Sequence, residues 1–169
     1  MFKKIILHPV FLMVLGIILG VSSKYGDIAY ANTFFSYFGL FSSGILIWLV
    51  LCTMILLYST KKKQAIFLVI SLMLPMLISY YLFSFFVVKY LSVKVVAFWM
   101  IMLIISLLVV HYIWNIRFCR KFRKLFTIAS VFSITYDAFN VNSFEFLILI
   151  PEIVLFTITL LLINKVMID

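Results

Sequence analysis

VVAFWMIMLIISLLVVHYIWN, residues Val95–Asn115, runs into RFCRKFRK, residues Arg117–Lys124. A long apolar stretch without charge that ends in five cations has the make-up of a helix that crosses lipid and stops at the headgroups. The same alternation continues in both directions. Apolar segments lie roughly at 5–22, 40–58, 65–88, 95–115, 125–140 and 143–163, and almost all of the cations fall in every second gap between them. The pattern predicts a single all-α integral membrane domain over 1–169, a bundle of about six transmembrane helices.

Composition agrees. The chain is 67% hydrophobic and 11% charged, with mean hydropathy +1.30, whereas soluble domains run near ~45–50% apolar and ~25% charged. A water-soluble fold of this length could not hide that much apolar surface, so lipid must serve as solvent for much of it. The net charge of +9 does not point to nucleic acid, because the cations sit at segment ends rather than along one face. Anionic headgroups at the inner basic loops are the expected partner; a protein partner or a second copy of the chain is a further expectation.

The side on which the cations fall sets the orientation. With the N-terminus inside, the inner turns hold Lys3, Lys4, Lys61, Lys62, Lys63, Arg117, Arg120, Lys121, Arg123, Lys124 and Lys165, and the outer ones only Lys24, Lys89 and Lys94. The positive-inside rule then predicts that both termini face the cytoplasm. Asp27, Asp137, Glu145 and Glu152 fall in the outer half.

Several local features refine this scheme. Lys3 and Lys4 before an apolar run resemble a signal peptide, but His8 and Pro9 interrupt its start and no Ala-x-Ala site follows, so we expect a retained helix. From Lys24 to Gly39, aromatic and polar residues mix, which suits a short interfacial helix on the outer surface; a long tilted second helix starting near Asn32 is the alternative. The fifth segment is short for a ~30 Å core, which implies snorkelling by Arg123 and Lys124 or local thinning. Before the sixth, Asn142 and Glu145 have capping-box spacing, and Val141 and Phe146 can form the hydrophobic staple.

Glu152 is the sharpest candidate for chemistry. Counted from Asn142 it lies ~15 Å into a helix, where an ionisable group is costly and a functional candidate by default. Pro151 beside it frees the Leu147 carbonyl, making a polar notch able to take a proton, a cation or an amine. The alternative is a helix that starts at Pro151, with Glu152 favourable in its first turn. Asp137, near the outer end of segment five, can join Glu152 in an outward vestibule or simply help to end its helix. Pro75 should kink segment three. Beyond it, Ser79, Tyr80 and Tyr81 form a hydroxyl-bearing aromatic wall, which fits either a ligand site or an outer aromatic belt. Gly16 and Gly20 form a Gly-x-x-x-Gly pair suited to helix packing or to docking a partner.

Other chemistry finds no carrier. His8 and His111 lack companions at ligand spacing, Cys52 and Cys119 lie at different depths, and no metal or cofactor is expected. There is no His-Glu-x-x-His, no Gly-x-Ser-x-Gly and no phosphate loop, so the expectation is not an enzyme.

Leu15–Val21, Trp48–Tyr58 running through Ser59 into Lys61–Lys63, and Met76–Phe83 with its Ser-Tyr-Tyr-Leu run resemble a family of small multi-pass bacterial membrane proteins of unassigned function. The resemblance implies a bacterial cytoplasmic membrane and brings no catalytic residue with it. Two functions are open: small-solute transport or substrate binding through Glu152, Asp137, Ser79, Tyr80 and Tyr81, or an accessory, immunity or assembly role played through a protein partner.

Overall fold

A computed structural model describes residues 8–28, 45–89, 93–140 and 149–168. Six α-helices follow in order: α1 Pro9–Ile28, α2 Ile45–Tyr58, α3 Lys62–Phe83, α4 Val93–Ile113, α5 Arg120–Asn140 and α6 Leu149–Ile168. A π-helical turn, Ser84–Val88, continues α3, and a 3-10 turn, Trp114–Ile116, continues α4. The described residues contain no strand. Helix is the expected outcome for such apolar runs, because it satisfies every interior backbone group within one segment. Four helical spans are long and apolar enough to cross a membrane: Pro9–Gly26, Lys62–Val87, Trp99–Ile116 and Leu149–Val166. The described part of α2 is shorter.

The outside of the molecule is apolar and much of its polar material is inside. Val14, Ile17, Ile78, Ile104, Ile128 and Phe132 are exposed, whereas Ser23, Ser71, Ser79, Ser130, Ser133, Thr159 and Glu152 are buried. That is the reverse of a water-soluble protein and suits lipid on the outside.

Some boundaries differ from those the sequence suggests. α1 runs on through Lys24 and Tyr25 to Ile28, so these residues belong to the first helix and not to a separate surface stretch. Residues 29–44, where the interfacial helix is expected, lie outside the described residues. α5 begins at Arg120 rather than near Leu125 and has 21 residues; the added first turn is the basic run, so the apolar part of the helix is no longer than the sequence suggests. Arg and Lys are good helix formers whose long stems carry their charge to the headgroups; a basic run therefore need not end a helix. α6 continues past Ile163 to Ile168. The expected cap at Asn142 and Glu145, with its staple Val141 and Phe146, lies outside the described residues.

α1 and α3 form the most extensive interface. Leu12, Gly16, Leu19, Gly20 and Ser23 make one buried stripe on α1. A Cβ on Gly16 would run into the Leu72 carbonyl oxygen, and one on Gly20 into the Met76 carbonyl oxygen and Ser79 Oγ. Ser79 Oγ lies 2.9 Å from the Met76 carbonyl of its own helix and 3.2 Å from the Ile17 carbonyl of α1. Contact rises together along both chains, from Gly16 at Leu72 to Gly20 at Ser79, so α1 and α3 run parallel. The Gly-x-x-x-Gly pair is thus used inside the bundle. We expect Gly16→Ala and Gly20→Ala each to cost about 1–3 kcal/mol, as overpacking of a filled interface does. Ser22→Ala, whose hydroxyl bonds only the Ile18 carbonyl of its own helix, should stay within about 0.5 kcal/mol; unfolding in detergent micelles would measure all three.

Candidate functional site

The sequence-derived candidates separate into two places. Ser79, Tyr80 and Tyr81 lie on α3, which packs against α1 and α4, whereas Glu152 lies on α6, which packs against α2 and α5. Among the described residues, α3 and α6 share no extended interface. Asp137 is in the last turn of α5, one helical turn beyond Ser133.

On α3 the aromatic wall is a structural joint. Ser79 is spent on α1. Tyr80 is buried, its hydroxyl within 3.5 Å of Lys24 Nζ, which also stands 5.1 Å from the ring centroid. Charge and ring attract in that arrangement. Tyr81 packs edge-on against Tyr80 at 5.3 Å. It also borders an open groove of about 380 Å³ with Ile78, Phe85 and Met100.

The α5–α6 interface is different in character. Its register follows from two contacts. Phe126 stacks on Phe156 at 6.1 Å, and Arg123 Nη1 donates to Asn164 Oδ1 at 2.9 Å. Stepping back along α5 steps forward along α6, so the two are antiparallel. The buried stripe of α5 is Phe122, Phe126, Ser130 and Ser133, and that of α6 is Leu149, Glu152, Thr159 and Ile163. Ser130 is one turn after Phe126, and Glu152 is one turn before Phe156. In antiparallel helices those steps lead the same way, ~6 Å from the stacked rings. Glu152 and Ser130 therefore share one level of the bundle, with Ser133 a turn further on.

Glu152 is 1% exposed, so water does not solvate it. Ser130 and Ser133 are 0% and 2% exposed, and neither hydroxyl has a hydrogen-bond partner. Other hydroxyls on these helices bond back to the carbonyl four residues earlier: Thr127 to Arg123, Thr135 to Val131, Thr157 to Ile153 and Thr159 to Leu155. Ser130 and Ser133 forgo that bond. The indole N–H of Trp48, buried on α2, also lacks a partner.

An apolar cavity of about 290 Å³ lies between α2, α4 and α5, bordered by Cys52, Thr53, Val110, Phe126 and Ala129 and by none of Glu152, Ser130 and Ser133. Phe126 is a wall common to the cavity and to the α5–α6 interface. The sequence reading missed Ser130, Ser133 and Trp48. The signal for the serines was the 4-4-3 spacing from Phe122, which places both hydroxyls on the aromatic face of α5, opposite exposed Ile128 and Phe132.

At the other end of α5, Arg117 is only 9% exposed, with its guanidinium 3.3 Å from the Trp114 ring centroid and 4.5 Å from that of Phe118. Burial pulls its pKa below the ordinary guanidinium value. The turn is closed by Cys119 N–H donating to Ile116 and Phe122 N–H to Cys119. Among the described residues no cluster of His, Cys, Asp and Glu could hold a metal ion. The chain matches no protein-family model, no curated protein and no solved structure.

A compact ammonium cannot stack between two rings as a planar guanidinium does. Arg117→Lys should therefore lower stability by about 1–2 kcal/mol and change Trp114 fluorescence, both measurable in one unfolding experiment.

Proposed function

We propose that this is a six-span protein of a bacterial cytoplasmic membrane, both termini inside, that binds a small organic cation in the course of transport or substrate capture. The observation that carries the reading is the near-complete burial of Glu152 in a helix apolar enough to span. An ionisable group buried in a membrane-spanning helix is a functional candidate by default. In this reading Glu152 supplies the countercharge, and the apolar cavity across Phe126 takes the body of the solute.

The parallel run of α1 and α3 supports the six-span scheme, because the chain must cross back between them, a role that falls to α2. The positive-inside distribution of cations supports the orientation. The acceptor-rich layer lies in the outer half of this topology, on the side from which a captured solute would arrive.

Two experiments test the reading. Cys119 is an exposed thiol in the basic turn before α5. In a C52A background, an impermeant maleimide should leave Cys119 and an introduced K62C unlabelled in intact cells, and reach both after permeabilisation. Labelling of the two from opposite sides would overturn the topology. For the site, trimethyl(2-phenylethyl)ammonium should bind the protein in nanodiscs, and Glu152→Gln should weaken it by about thirtyfold, as loss of a buried countercharge does. Unchanged binding would remove the solute reading. A stoichiometric protein partner retained by Glu152→Gln would instead favour the accessory role.

A further inference from the structure

The cavity between α2, α4 and α5 opens sideways. Its back wall includes Val110 and Phe126, which are 3% and 2% exposed, whereas Val109 and Leu125, which also border it, are 44% and 48% exposed. Among the described residues α4 and α5 share no extended interface, although they follow one another in the chain. The two helices stand apart, and Val109 and Leu125 form a mouth between them. Because the outside of the bundle is apolar, that mouth faces hydrocarbon. One end of the cavity is set by Leu56, Ile113 and Phe122, in the last turn of α2, the last turn of α4 and the first turn of α5. That is the end of the bundle that carries the basic turn Arg117–Lys124. From there the lining reaches Leu49 on α2 and Ala129 on α5, ~10 Å along each helix at ~1.5 Å rise. The slot therefore lies in the leaflet that meets the basic turn, the inner one in the topology proposed above.

We propose that this cavity seats one acyl chain of an anionic phospholipid, which enters between α4 and α5 and keeps its phosphate at Lys121 and Lys124. Nothing in this depends on Glu152, and a solute body that uses the same cavity must first displace the chain. Charge complementarity identifies the head. Lys121 lies one turn before Leu125 on α5, so the two share a face with Cβ atoms ~5–6 Å apart. Lys124 stands beside Leu125 in the chain, and both lysines are exposed. α5 has no acid in its first turn, and no Asp or Glu occurs between Asp27 and Asp137. Arg120, Lys121, Arg123 and Lys124 thus open a helix whose N-terminus already favours negative charge. A phosphodiester supplies it. The walls identify the tail. A cavity of about 290 Å³ with almost wholly apolar walls gives a hydrocarbon chain contacts on several sides and gives a free phosphate ion nothing. The site is more selective than the general pull of basic loops on anionic headgroups, because chain and head are seated together.

Photo-crosslinking of the full chain tests this, in phosphatidylcholine nanodiscs doped with phosphatidylglycerol that carries a diazirine midway along one chain. Mass spectrometry should find adducts on Val110 and Phe126, which lipid on the outside of the bundle does not reach. Adducts confined to outward residues such as Ile104, Ile128 and Phe132 would overturn the proposal. Phosphatidylcholine with the same photoactive chain should label the back wall about fivefold less, the equivalent of one lost contact between a lipid charge and a cation. Lys121→Gln with Lys124→Gln should remove that difference. Exposed substitutions of this kind seldom disturb folding, and continued labelling of Val110 by phosphatidylcholine verifies the fold of the double variant. Equal labelling by the two lipids in the wild type, or a difference that survives the double substitution, overturns the assignment of the head. Inorganic phosphate, compared with chloride at the same ionic strength, should leave the labelling unchanged. Loss of the difference in phosphate alone would mean a site for the free ion and overturns the lipid.

Discussion

The contact between α1 and α3 at Gly16 and Gly20 is the constraint on which the rest of the bundle depends. With apolar side chains covering its outside, burying more of them against each other gains little over leaving them in lipid. Helices in such a setting are held by close packing and by polar contacts. Glycine supplies the first, by letting α1 approach until only a hydrogen fits against the Leu72 and Met76 backbone. Ser79 supplies the second, reaching across to the Ile17 carbonyl. This joint uses the hydroxyl of the Ser-Tyr-Tyr run for assembly, and Lys24 engages Tyr80 in the same way. α3 then docks α4, and α2 follows from the short Ser59–Lys61 turn.

The second half of the bundle obeys a different logic. α2, α5 and α6 meet through a stripe in which aromatic rings give way to hydroxyls and a carboxylate. A layer of that kind is a poor device for stability. Its polar atoms would be better solvated in water, and an apolar residue in place of each would pack without penalty. Phe126 stacks on Phe156 on one side and borders the cavity on the other, so it links the α5–α6 interface to the space between α2, α4 and α5.

Much of this architecture was legible in the residues. Uncharged runs of membrane-spanning length and the depletion of polar residues made the helices readable one by one, because in lipid the backbone has no alternative to helix. The burial of Glu152 did not rest on depth: it lies in the first turn of the described α6, and helices packed around it bury it. Helix ends were harder. The basic residues Arg120–Lys124 resemble a loop but continue α5, since a long cationic side chain reaches the headgroups from within a helix as well as from outside it. Lys24 and Tyr25 resemble the start of a surface segment, yet they complete α1, where Lys24 finds Tyr80 on the neighbouring helix.

The sequence by itself determined that the chain is helical and apolar outside, because those properties arise from each segment and its solvent alone. Only the tertiary structure decided which helix the glycines face, that Ser79 and Tyr80 serve the α1–α3 joint, and that Ser130 and Ser133 stand level with Glu152. Partner choice depends on register and rotation between segments far apart in the chain, and no periodicity within one helix encodes the angle at which another meets it.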